Sequence, residues 1–209
     1  MTVTLYKGDI PEGLDFGSSV AVDTETQGLS LLRDKLCLVQ LSSGDGNAHI
    51  VQMDRKKYEA PNLKHLLSNP KVEKIFHFAR FDVAIIKRDL GVDIDPIFCT
   101  KIASGLVRTY TDKHGLKDLT KELLNVDLSK QQQSSDWASD AISQAQLDYA
   151  ASDVLYLHQL RNILTARLLR EERLDLARNC FDFLPTRCEL DLKGWEGVDI
   201  FSHRMRRPE

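Results

Sequence analysis

The chain has 209 residues, 42% of them hydrophobic and 28% charged, with a formal net charge of −3. That balance suits a single globular domain spanning 1–209, and its mild acidity excludes binding to long duplexes through bulk positive charge. No apolar run approaches the ~20 residues that cross a bilayer, and the first residues, MTVTLYKGDIPEG, lack the basic-then-apolar order of a secretion signal, so a cytoplasmic protein with no membrane partner is expected.

In chain order, Val20 to Val22 reads as a strand, followed by Leu36 to Leu41 (LCLVQL) and Ala48 to Met53 (AHIVQM). The turn SSGDGN between the last two predicts an antiparallel hairpin. Alternation of helix and strand follows: a helix over 62–69, a strand at Lys74 to Phe78, a helix from Asp82 to Leu90 stopped by Gly91, and a strand at Ile97 to Cys99. The remainder is mostly helical. The segment TKIASGLVRTY is amphipathic, and GLKDLTKELLN sets Leu116, Leu119, Leu123 and Leu124 on one stripe. After the polar loop SKQQQSSDW, one long helical pattern runs from about Ser143 toward Ala177. Residues 184–209 contain Pro185, two glycines and the basic end HRMRRPE, and are read as an irregular C-terminal tail. Cys37, Cys99, Cys180 and Cys188 form no C-x-x-C pair and are expected as reduced thiols.

Three short segments carry chemistry. In VAVDTETQGLS, side chains alternate along the strand, so Asp23 and Glu25 point the same way. Two carboxylates held close repel unless a cation lies between them, and a hard divalent cation takes oxygen ligands. Alone, Asp-x-Glu is more often just two surface acids at a strand end. In KIFHFARFDVAII, Asp82 opens a helix where the dipole favours an acid, with His77 and Arg80 beside it. In LDYAASDVLYL, Tyr149 and Asp153 share one helix face and Ala150 and Ala151 leave their surroundings uncluttered. Four acids, Asp23, Glu25, Asp82 and Asp153, suit a pair of divalent ions for phosphodiester cleavage, with Tyr149 holding the attacking water or helping to deprotonate it.

These segments resemble the three motifs of the DEDD exonuclease superfamily in its tyrosine subclass, and SKQQQSSDW with QLDYAASDVLYLHQL resembles the ribonuclease D branch. The resemblance implies a ribonuclease H-like α/β fold, with a mixed central sheet flanked by helices and the catalytic Asp23, Glu25, Asp82, Tyr149 and Asp153 at the strand ends. It implies 3'-5' hydrolysis to 5'-mononucleotides with two divalent cations, Mg²⁺ or Mn²⁺, held by the four acids. It also implies that Thr26 and Leu29 meet the 3'-terminal nucleotide, that His77 belongs to the second motif, and that Lys130, Gln133 and Ser135 lie near the scissile phosphate or brace Tyr149. Phe78 stands where many relatives carry asparagine, and an aromatic ring there offers a base a stacking face. No segment has the length of the helical RNA-binding domains of ribonuclease D, so affinity is expected to come from the pocket. The chain is similar throughout to a short bacterial branch of the family. That similarity implies short single-stranded RNA of two to a few nucleotides as substrate, and a ring-like homo-oligomer, an octamer, with residues 184–209 at a subunit interface. DNA ends or longer RNA are the alternative substrates.

Overall fold

The computed structural model describes residues 2–203 apart from Lys130 and Gln133. The expected roles of those two residues, and the end of the basic segment from Arg204, fall outside the described residues.

Six strands form one mixed sheet in the order β1-β4-β3-β2-β5-β6. Strands β2 (Ser19–Thr26), β3 (Leu36–Ser42) and β4 (Ala48–Gln52) form the antiparallel part. Strand β5 (Glu73–Phe76) joins β2 in parallel and β6 (Ile97–Cys99) joins β5 in parallel. The fold is therefore α/β with a mixed sheet, as expected. Strand β1 (Val3–Lys7) pairs in parallel with β4 and was not legible in the sequence, because its residues are half-buried at the sheet edge and show no clean alternation.

Helices α1 (Pro61–Ser68), α2 (Ala79–Leu90), α3 (Thr100–Val107) and α4 (Leu116–Leu124) follow. The long helix expected over 143–177 is instead three pieces: α5 (Gln144–Leu155), α6 (Leu157–Arg170) and α7 (Leu174–Leu190). Ser143 starts α5 with a capping box closed by Gln146. Glu172, with φ 54°, turns the chain into the left-handed region and sends α7 back across α2 and α3. Apolar spacing continues on both sides of these breaks, so periodicity cannot reveal them.

The tail also differs from the expectation. Helix α7 continues through Pro185 to Leu190, because Phe181, Leu184 and Cys188 are buried on one face and packing outweighs the one backbone hydrogen bond that proline forfeits. A π-helical turn, Asp191–Trp195, follows. Its buried Asp191 accepts from Arg80 Nε at 2.6 Å and Nη2 at 2.8 Å, and from Arg187 Nε at 3.0 Å. This paired guanidinium clamp ties residues 191–198 to the start of α2. The four cysteines are free thiols, and Cys180 alone is not fully buried.

Candidate active site

The register of the sheet builds the site. Asp23 and Glu25 lie opposite Gln40 and Leu38 across the β2–β3 ladder, and both project toward α5. Helix α5 crosses β1, β4, β3 and β2 on that face and delivers Tyr149 and Asp153. Thr24, between the two acids, points to the other face. There its hydroxyl donates to Asp82 Oδ1 at 2.6 Å, fixing the carboxylate that α2 brings up beside the strand end. The parallel pairing of β5 with β2 places His77, Phe78 and the first turn of α2 at the same end of the sheet.

A cleft of about 390 Å³ opens there, lined by Asp23, Glu25, Asp82, Tyr149 and Asp153 and by Thr26, Leu29, His77 and Phe78. One oxygen each from Asp23, Glu25 and Asp153 lie within 4.8 Å of one another. Every carboxyl is raised, with burial the first cause of each. Burial, then the charges of Asp82, Asp153 and Glu25, holds Asp23 well above the usual range. Burial, then Asp153 and Asp82, pushes Glu25 up to about 9. Burial lifts Asp82 and Asp153 each to about 7, against the opposing hydrogen bonds from Thr24 and Tyr149. Four acids that cannot all ionise alone near neutrality, three of them with oxygens this close, are the donor set that hard divalent cations take. Burial, then Asp153, Glu25 and Asp23, holds the Tyr149 hydroxyl well above the ordinary phenol range, so it is protonated at neutral pH. In this cation-free state it is a hydrogen-bonding group beside Asp153.

His77 Nδ1 lies 2.9 Å from Thr100 Oγ1, and burial, then Lys101, presses its pKa down to about 3, so the ring is neutral. Phe78 occupies left-handed backbone, φ 68°, with the Lys101 ammonium 4.2 Å from its ring centroid. Asparagine adopts that backbone more readily than phenylalanine, so the aromatic ring stands here at a conformational cost. Leu29 is 84% exposed at the rim, and the Thr26 hydroxyl donates to the Gly28 carbonyl.

Arg80 forms an ion pair with Asp191. Ser135 is not among the residues lining the cleft; its hydroxyl donates to Gln132 Oε1 at 2.6 Å. Trp137, in the same loop, packs beside Tyr149 with ring centroids 6.0 Å apart. Sequence reasoning also missed Lys101, Lys117, Leu116 and Leu128 on the cleft wall. Thr24 alone had a visible signal, since it is the residue of Asp-Thr-Glu that must face the opposite way.

A family model described as 3'-5' exonuclease matches residues 9–169. With that match and this arrangement of acids, the chain belongs to the 3'-5' exonuclease family. Within it the chain is ribonuclease D-like: it is 35% identical over 156 residues to ribonuclease D of Acidiphilium cryptum (strain JF-5), which covers 75% of this chain and 39% of that protein. The chain thus spans about two-fifths of the length of the curated relatives it matches first. Several solved structures match over nearly the whole chain, among them the following two of one protein. Brucella melitensis NrnC with bound Mg²⁺ is 52% identical with a TM-score of 0.94, and Brucella melitensis NrnC bound to pGG is 53% identical with a TM-score of 0.95. Each covers 98% of this chain and 100% of that one.

Proposed function

We propose that this chain is a two-cation 3'-5' exoribonuclease that hydrolyses RNA of two to a few nucleotides to 5'-mononucleotides. The observation that carries the reading is the convergence of Asp23, Glu25, Asp82, Asp153 and Tyr149 in one cleft. The four acids would hold Mg²⁺ or Mn²⁺, and such ions supply an activated water and offset charge on the departing 3'-oxygen. Tyr149 orients the water that attacks phosphorus as the bond to the 3'-oxygen of the preceding nucleotide breaks. Leu29 offers an apolar wedge to the terminal base, Phe78 a stacking face, and Thr26 the wall between. Lys101 and Lys117 supply the positive charge of the cleft wall, where a phosphate backbone can run.

The pGG-bound NrnC, half identical to this chain and matched along its length, supports a two-nucleotide substrate. The ribonuclease D relationship favours longer RNA as the second reading, and DNA ends are the third. Matched 3'-labelled RNA dimers, RNA 20-mers and duplex DNA separate the three. The dimer is expected to show the highest kcat/KM by at least about tenfold, equivalent to ~1.4 kcal/mol of transition-state stabilisation. Equal or faster release from the 20-mer, or from DNA, would replace the substrate assignment.

We further infer a ring-like homo-oligomer, the octamer that the resemblance implies. Phe201 is 77% exposed and its ring meets Phe183 at 5.7 Å, an apolar patch at the end of the clamped C-terminal segment. Phe201→Glu is expected to shift the protein to a smaller size in light scattering; an unchanged size would remove this patch from the interface.

A further inference from the structure

Strand β3 is buried along its whole length, and Gln40 within it is 0% exposed. Neither its Oε1 nor its Nε2 has a hydrogen-bond partner among the described residues. Buried amides are almost always paired, and one left alone asks for an explanation. Packing supplies none. The layer beneath α5 that surrounds this strand is made of Cys37, Leu38, Ile50, Trp137 and Ala150, where an apolar side chain of the same length would fit at no cost in hydrogen bonds.

Register supplies one. Gln40 stands directly opposite Asp23 on β2 and opposite Ile50 on β4. Residues opposed in an antiparallel ladder project to the same face with Cβ atoms about 4.5–5.5 Å apart. One neighbour of the amide is thus a hydrocarbon and the other a carboxylate of the acidic cluster. Ligand carboxylates of a cation are themselves held by donors behind them, which set their orientation. A carboxamide has two N–H donors and no charge, so it can hold a carboxylate without competing for the cation.

We propose that Gln40 is a positioning residue for Asp23: its amide donates from beneath to the Asp23 carboxylate when the cations are bound, and so sets the ligand's orientation. This rests on the cation site proposed above. It assigns to the orphaned amide a role in cation affinity, with none in contacting substrate.

The test is calorimetric titration of Mn²⁺ into the full-length protein, into Gln40→Met, and into Asp23→Ala as the reference for a lost ligand, all well below the melting temperature. Gln40→Met is expected to bind Mn²⁺ ten- to a hundredfold more weakly, the loss usual for an outer support. Its cation-free melting temperature should be unchanged or higher, and raised Mn²⁺ should restore its turnover. A residue that served the fold alone would lower the melting temperature and leave the affinity of the folded protein untouched. Native protein that binds Mn²⁺ beside a Gln40→Met variant that binds it within twofold as well overturns this inference alone. Native protein that takes up no Mn²⁺ overturns the cation site and this inference with it.

Discussion

Asp23→Asn is expected to cut mononucleotide release by more than about a hundredfold, the largest loss usual for a group that merely supports a metal ligand, while making the cation-free protein more stable at pH 8. Both effects come from the burial of the acids and from their crowding. Asp23 is the member held up by all three of its neighbours, Asp82, Asp153 and Glu25, and by its own burial. Raised carboxyl pKa values mean that the folded chain keeps protons that the unfolded chain has already released. Stability is then greatest below about pH 4 as far as these groups are concerned, and it falls as pH climbs through about 7 for Asp82 and Asp153 and about 9 for Glu25. In chelator, the native protein should melt lower at pH 8 than at pH 5.5, and Asp23→Asn should narrow that gap by removing one charge. Cations act oppositely. At about a hundred times its dissociation constant a cation contributes ~2.7 kcal/mol, or roughly 5–10 °C for a chain of this size, and the gain should be larger at pH 8, where the acids have lost their protons. Thermal unfolding at the two pH values, with and without Mg²⁺, measures all of this. Full release by Asp23→Asn, or a melting temperature at pH 8 below that of the native chain, would contradict it.

Tyr149→Phe is expected to lower kcat by about a hundredfold, the low end of what a positioned proton-handling group contributes, with KM changed by less than about threefold. The hydroxyl is protonated and interacts with Asp153 one helical turn away. Its contribution is to orient a water in the transition state, which appears in kcat. The phenyl ring that remains still meets Trp137, so the fold of the loop should survive. Single-turnover kinetics on an RNA dimer separate the parameters. A loss confined to KM would make Tyr149 a substrate-binding residue. A kcat that rises tenfold per pH unit through the region where the hydroxyl titrates would restore it as a base.

What the sequence made legible follows the strength of local signals. The hairpin turn SSGDGN and the short run Ile97 to Cys99 appear where expected because turn chemistry and strand-favouring residues such as Ile97 and Phe98 act over a few positions. The acids were legible because strand alternation and helical spacing dictate which carboxylates share a face. What escaped is decided by tertiary packing. Strand β1 exists because β4 offers it an edge. Helix α7 outlasts Pro185 because buried residues flank it. Lys101 and Lys117 reach the cleft because α3 and α4 fold back over the strand ends, a placement that no spacing in TKIASGLVRTY or GLKDLTKELLN encodes. Gln40 was read as one more position of an apolar strand; only the β2–β3 register sets it beside Asp23. Arg80 sits two residues from Asp82 yet serves the C-terminal clamp, because its partner Asp191 lies more than a hundred residues away in sequence.

The most direct measurement is anomalous diffraction from crystals of the native protein soaked in Mn²⁺. The account predicts two peaks in the cleft, ~3.5–4 Å apart, contacted by Asp23, Glu25, Asp82 and Asp153. No peak among those carboxylates, or peaks bound elsewhere while the acids stay apart, would contradict it.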